Sequence, residues 1–271
     1  MAITAADVKK LRDETGAGMM DAKKALTEAD GDFEKAAELL RISGALKAAK
    51  RSEREASNGL VAAAGKAIIQ LGAETDFVAK NDEFISLANE IAEAIDAAGA
   101  ESVEAANKVT LASGQTVEEA VSTLSVKIGE KLELTKVAYF TGDTHTYLHS
   151  RSSDLPPQVG VLVEFEGTND EQMIHSVALQ IASMSPSVVH KGEISQEVID
   201  AEMRIAEAAA REEGKPEQVI PRIVEGRIKD YYKDACLVEQ PAISDDKQTV
   251  GVLLEKAGVV ITRFVRFSAG A

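Results

Sequence analysis

The stretch Ala67–Ile91, AIIQLGAETDFVAKNDEFISLANEI, runs from a strand through a loop to a helix and sets the pattern for the rest of the chain. Ile68-Ile69-Gln70-Leu71 is a short apolar run, β-branched enough for a strand. Phe84, Leu87, Ala88 and Ile91 recur at i, i+3, i+4 and i+7, the period of a helix with one apolar face. Asn81 is a good N-cap for that helix, and Asp82 and Glu83 place negative charge in its first turn, where the dipole favours it. In the intervening Glu74–Lys80, Thr75 can cap a single helical turn of its own. An acid followed by a bulky ring is an odd pair for a loop, because loops run over the surface. Two accounts are open. In one, Phe77 and Val78 turn inward and plug the strand–helix junction. In the other, Asp76 and Phe77 point outward as a contact pair for another protein.

The composition narrows the field. The chain has 271 residues, enough for two or three compact units, and aromatic residues are only 4%, so the core is expected to be aliphatic helix packing with some sheet. Lys and Arg number 30 against 45 Asp and Glu, a net charge of −15 that repels phosphate backbones and argues against direct nucleic-acid binding. The clearest basic cluster, Lys47, Lys50, Arg51 and Arg54, is diluted by Glu53 and Glu55 and reads as a solvated linker rather than a phosphate site. A single cysteine, Cys236, fits a reducing compartment. No apolar run approaches the roughly 18–20 residues of a membrane span, and no signal-peptide core opens the chain, so a soluble, cytoplasmic protein without membrane contact is expected.

In chain order, residues 1–44 form a helical module. Thr4 caps a helix carrying Val8 and Leu11, Met19–Leu26 form a second, and Asp32 caps a third with Phe33, Ala36, Ala37 and Leu40 on one face, closed by Gly44. Three short helices of this kind resemble the ubiquitin-associated type of bundle. Adjacent Met19 and Met20 cannot easily both face inward, so either one marks a contact patch or both pack under the Gly16–Gly18 loop. Residues 45–58 read as a charged, Ala-rich linker.

A first core subdomain covers 59–141, closing with the alternating strand Leu132–Phe140 after a helix that opens at Thr116 and breaks at Gly129. A second, 142–271, repeats the plan. Val159–Phe165 is a strand, Asn169-Asp170-Glu171 opens a helix with Ile174, Val177, Ala178 and Ile181, and Val259–Phe267 alternates again. Its strand–helix loop, Glu166-Gly167-Thr168, lacks the ring of the first copy, which favours the outward account of Phe77. Within it, about 190–235, two amphipathic segments separated by Gly214-Lys215-Pro216 form an inserted antiparallel hairpin, with Ile194, Val198, Ile199, Ile205 and Ala206 in the first segment's helical pattern and Pro221 starting or kinking the second. The expected class is therefore α+β: a three-helix module, duplicated strand–helix subdomains and a helical hairpin.

Reactive chemistry is not in evidence. There is no P-loop, GxGxxG, GxSxG or HExxH, and one cysteine excludes paired-cysteine metal sites. His145 and His149 lie in extended-looking sequence, which separates them by about 13 Å. A partner-binding protein is the economical reading, with no catalytic residue, cofactor or metal.

Longer motifs sharpen this. Asp13-Glu14-Thr15-Gly16-Ala17-Gly18-Met19-Met20-Asp21-Ala22-Lys23-Lys24-Ala25-Leu26 resembles the N-terminal signature of bacterial translation elongation factor Ts, and Glu74-Thr75-Asp76-Phe77-Val78-Ala79-Lys80-Asn81 is similar to its second signature. Lys127–Leu132, Gly160–Val163, Gly214-Lys215-Pro216 and Val224-Glu225-Gly226-Arg227 follow in family order, so the resemblance spans essentially the whole chain. It implies a guanine nucleotide exchange factor for elongation factor Tu, the GTPase that delivers aminoacyl-tRNA in protein biosynthesis. In that family the acid and ring of the Thr-Asp-Phe-Val segment wedge into the GTPase, disturb its Mg²⁺ and phosphate surroundings, and release GDP. Carried over, the exchange segment is Thr75, Asp76, Phe77 and Val78. Partner contacts fall on Met19, Met20, Lys23, Ile128, Gly129 and His149, and the hairpin matches a coiled-coil element of dimerisation type, implying a homodimer or heterotetramer. The chain departs from well-known members in a longer Ser150–Val159 segment containing Pro156-Pro157, and in stopping at Ala271 without the C-terminal helical extension of some members. The alternative is an adaptor or holdase that binds through the module and the hairpin with no effect on nucleotide.

Overall fold

Helix α1 (Ala5–Thr15) begins in a reciprocal cap: the Thr4 hydroxyl accepts from Asp7 N while the Asp7 carboxylate accepts from Thr4 N at 2.9 Å. It ends at Gly16 in the left-handed conformation, and α2 (Met19–Glu28) and α3 (Phe33–Arg51) follow. The structure is a computed structural model and describes residues 3–51 and 53–270, with backbone alone for 45–51. The three helices close over Val8, Leu11, Ala22, Ala25, Leu26, Ala29 and Ala36, the alanines letting the helices approach closely.

The third helix does not stop at Gly44, as expected from sequence, but runs on through Arg51. Glycine inside a helix costs about 1 kcal/mol relative to alanine, and the strong helix formers Ala45, Leu46, Lys47, Ala48 and Ala49 carry the helix past it. Gly44 serves close packing instead. A Cβ there would stand 3.1 Å from Val126 Cγ1, tighter than ordinary contact. The segment read as a linker thus starts inside a helix; the basic side chains Lys47, Lys50 and Arg51 lie outside the described residues, and Arg54 pairs with Glu74 at 3.1 Å.

The chain divides into two compact units. One comprises residues up to Tyr139 together with Ser150–Gln158 and the segment from Ser268; the other comprises Phe140–His149 and Val159–Phe267. In the first, β1 (Asn58–Ala64) and β2 (Ala67–Ala73) form a hairpin with Leu60 opposite Leu71. Its turn needs Gly65, at φ 50°, because the Asp96 carboxylate occupies the space of a Cβ in order to accept from Lys66 N at 2.8 Å. A single helical turn, α4 (Asp76–Ala79), leads to α5 (Asp82–Ala98), which lays Phe84, Ala88, Ile91, Ala92 and Ile95 on the sheet. After α6 (Val103–Asn107) and α7 (Val117–Ile128), β3 (Leu132–Tyr139) pairs antiparallel with β2, so the order is β1-β2-β3 and the middle strand is buried throughout. Ser150–Gln158 and residues 268–270 finish this unit: Val61 N donates to the Pro157 carbonyl, Ala269 N to that of Gln158 and Gly270 N to that of Ser57, each at 2.8 Å.

The second unit is built on the same plan. β4 (Asp143–His149) pairs antiparallel with β5 (Val159–Gly167), with Thr146 opposite Leu162, and Asp170 caps α8 (Glu171–Met184). α9 (Gln196–Glu212) and α10 (Ile220–Ala235) form the hairpin, Pro221 starting α10 rather than kinking it. Its seam is Ala206, Ala210, Ile220 and Val224; Ile199 is buried too. Ile205, part of the same helical pattern in the sequence, is 61% exposed, because it sits one residue and therefore about 100° round the helix from Ala206. β6 (Pro241–Ala242) and β7 (Asp245–Thr249) make a small ribbon, and α11 (Val250–Ala257) leads to β8 (Val259–Ser268), giving the order β4-β5-β8. The architecture is α+β. No helix among the described residues is long and apolar enough to cross a membrane.

Candidate partner-binding site

The connection from β2 to α5 is held at several points. Glu74, at the end of the strand, accepts from Lys131 N at 2.6 Å and pairs with Arg54, while its carbonyl accepts from Asn58 Nδ2 at 2.9 Å. Thr75 has the extended backbone of an N-cap, φ −126° and ψ 159°, yet its side chain caps nothing. Its hydroxyl donates to Glu130 Oε1 at 2.9 Å and its N–H to Glu130 Oε2 at 3.1 Å. At the far end, Asn81 Oδ1 accepts from Glu83 N and Phe84 N, capping α5.

The one-turn helix between these anchors is split by side. Val78 and Ala79 are buried, Val78 in the first unit's core cluster, whereas Asp76 and Phe77 are exposed. Phe77 is 80% exposed, against 0% for Phe84 in the next helix. A ring in water is unfavourable by the hydrophobic effect, and nothing in the unit covers this one. The inward account of the loop therefore applies to Val78 but not to Phe77. Lys80, closing the turn, pairs with Asp154 of the Ser150–Gln158 segment at 2.6 Å. That bond raises the Lys80 pKa, and together with a hydrogen bond from Ser152 it holds the Asp154 carboxyl down to about 2.

The other sequence-derived positions fall as follows. Met19 and Met20 open α2 at 47% and 77% exposure, so neither packs under the glycine loop, and Lys23 is exposed one turn on. Ile128 is half-buried against the first core, and Gly129 ends α7 at φ 91°. The end of α7 is stitched to the β2–α5 connection through the residues around Gly129. Glu130 holds Thr75, Lys131 N meets Glu74, and Lys127 Nζ pairs with Glu83 at 2.6 Å while its aliphatic stem lies against Gly16. Sequence reasoning assigned no role to Glu130 or Asp154. Glu130 stood inside a quoted motif, but nothing local marks it as the partner of Thr75.

In the second unit, His149 is exposed at the end of β4, with Tyr147 Oη 3.2 Å from its Nδ1. His145 does lie along the same strand, but its close neighbour is across on α8, with Nε2 3.2 Å from His175 Nδ1. Burial, then the neighbouring His175, lower the His145 pKa and favour the neutral ring. Among the described residues no three His, Cys, Asp or Glu side chains are gathered to hold a metal ion.

The exposed side chains at these positions are an acid–ring pair on the β2–α5 connection and two methionines and a lysine on α2. Comparison with known proteins accords with the resemblance read from the sequence. The family described as Elongation factor TS matches residues 74–271. Elongation factor Ts of Cutibacterium acnes (strain DSM 16379 / KPA171202) is 64% identical over 270 residues, spanning 100% of both chains. Elongation factor Ts of Mycolicibacterium smegmatis (strain ATCC 700084 / mc(2)155) is 54% identical over 270 residues, 98% of each. The chain belongs to the elongation factor Ts family.

Proposed function

We propose that this protein is the guanine nucleotide exchange factor of elongation factor Tu, and that Asp76 and Phe77 are its wedge. Family membership supports the exchange function. The observation that carries the wedge is the ring of Phe77, 80% exposed on a turn whose other side, Val78 and Ala79, is rooted in the core. A rigid base with an outward ring and carboxylate can push into a partner without itself rearranging. GDP on a GTPase is held by Mg²⁺ and by backbone dipoles around its phosphates, so displacing the elements that supply them releases it with no covalent step. Lowering the release barrier by about 4 kcal/mol speeds dissociation about a thousandfold. By linkage, GDP weakens binding of the factor as much as the factor weakens binding of GDP, so incoming nucleotide expels it.

In this reading the module 1–44 contributes Met19, Met20 and Lys23, the core 59–141 contributes Thr75–Val78 with Ile128 and Gly129, and the core 142–271 contributes His149. The hairpin at about 190–235, with Val198, Met203 and Ile205 exposed, is the surface for a homodimer or heterotetramer. The net charge of −15 suits a protein partner in the cytoplasm rather than RNA or a membrane. The protein acts on its partner's nucleotide and is not an enzyme.

The test is stopped-flow release of a fluorescent GDP from elongation factor Tu. Strong acceleration by the wild type that collapses on Asp76→Ala or Phe77→Ala, with binding largely retained, is expected. The exposed methionines and hairpin favour one other reading, an adaptor without exchange. It predicts binding that is sensitive to Met19 and Met20 and no acceleration, which would sink the exchange mechanism.

A further inference from the structure

The wedge turn is too short to hold itself. Four residues are far below the length at which a helix is stable alone, and the residue that should cap it, Thr75, has its hydroxyl turned elsewhere. We propose that Glu130 is a positioning residue for nucleotide exchange: its carboxylate grips Thr75 and so aims Asp76 and Phe77. The inference rests on the wedge reading above.

Three observations converge on it. First, both Glu130 oxygens are engaged by one residue, Oε2 by Thr75 N and Oε1 by Thr75 Oγ1, which fixes direction as well as distance. Second, the grip is reciprocal: the Glu74 carboxylate reaches the backbone of Lys131 while the Glu130 carboxylate reaches the backbone of Thr75, so the two adjacent pairs lock the strand end to the segment after α7. Third, Glu130 is itself held. Its carbonyl accepts from the buried Ser125 Oγ at 2.6 Å, and the left-handed Gly129 before it reverses the chain at the end of the helix. Half-buried, Glu130 sits where charge-assisted hydrogen bonds are less screened than at the surface. At the opposite end of the turn the side-chain ion pair is the exposed Lys80–Asp154 contact, of a kind worth little and weakened by salt.

Maximal GDP-release rate and the half-saturating concentration of the factor are measured separately, with thermal melts alongside. Glu130→Ala is expected to lower the maximal rate roughly ten-fold, the order set by losing charge-assisted hydrogen bonds, with half-saturation unchanged. Glu130→Gln, which keeps one acceptor oxygen, should recover part of the loss. Thr75→Val removes the hydroxyl bond but leaves the N–H bond to Oε2, so it should show part of the Glu130→Ala loss, and the double variant should be no worse than Glu130→Ala alone. Asp154→Ala should change the rate less than about two-fold. The proposal is overturned if Phe77→Ala abolishes exchange while folded Glu130→Ala or Thr75→Val retains the full rate, or if both parameters worsen together as in general loss of binding. Thr75→Val keeps the test decisive should Glu130→Ala fail to fold. If Phe77→Ala is itself without effect, the wedge reading fails and takes this proposal with it, a result distinguishable from the first because it does not depend on Glu130.

Discussion

Two phenylalanines seven positions apart should respond oppositely to the same truncation. Phe84 is 0% exposed and packs in the first core, so Phe84→Ala should cost about 3–5 kcal/mol. Phe77 is 80% exposed, so about a fifth of its surface leaves water. A fully buried phenylalanine hides about 200 Å². A fifth of that, about 40 Å² at about 25 cal/mol per Å², comes to about 1 kcal/mol as an upper bound. Alanine's better helix propensity returns about half of it, so the net cost of Phe77→Ala is a few tenths of a kcal/mol. With a urea m-value of about 2 kcal/mol/M, Phe84→Ala should shift the first unit's midpoint down by about 1.5–2.5 M and Phe77→Ala by less than about 0.3 M. The assay is urea unfolding followed by circular dichroism, run beside GDP release on the same preparations. Phe77→Ala should be nearly as stable as the wild type and nearly inert in exchange. A Phe77→Ala midpoint that falls like that of Phe84→Ala would mean that the ring packs inward in solution, and the outward reading would be wrong.

Two further outcomes follow from the second unit. Hydrogen bonds from Arg263, with Gly142 N–H and Thr262 adding, hold the Glu164 carboxyl down to about 2 from an ordinary 4.5. A lowered pKa stabilises the fold fully above the unfolded value and loses that stabilisation as pH falls through about 2, so after allowance for solvent screening Glu164→Gln should cost about 1 kcal/mol at pH 7 and progressively less below pH 4; a urea-midpoint difference that does not change with pH would refute this. Cys236 is fully buried and burial raises its thiol pKa, so a thiol-labelling reagent at pH 8 should react at least about a hundredfold more slowly with native than with urea-unfolded protein, and rapid native labelling would contradict its placement.

Much of the fold was legible because the signals were local. Thr4, Asn81, Thr116 and Asp170 act as the caps their residue types announce, and the spacing of Phe84, Ala88 and Ile91 is the face that packs. What was not legible depends on partners far along the chain. Gly44 looks like a helix stop until α7 is seen against it, because a glycine that ends a helix and one that admits a neighbour are the same residue. Ile205 joins an apolar run in sequence but lies outside the seam that α10 selects. The same holds at the candidate site. The oddness of an acid and ring in a loop was visible in the sequence, but the grip on it was not: Thr75 and Glu130 are separated by 55 positions, and His145 and His175 by 30, and neither spacing carries a periodic signature.

The first unit's dependence on Ser150–Gln158 and residues 268–270 has a consequence for synthesis. A chain emerging from the ribosome N-terminus first can assemble the helical bundle and the β1-β2-β3 sheet early, but the donors for the Ser57 and Gln158 carbonyls are Gly270 N and Ala269 N, made after the whole second unit. The unit begun first is therefore completed last, and its closing contacts span long stretches of sequence, the class of contact that forms slowly. Val61 gains its Pro157 partner earlier, but a nascent chain stalled before residue 268 leaves the Ser57 and Gln158 carbonyls without these two donors.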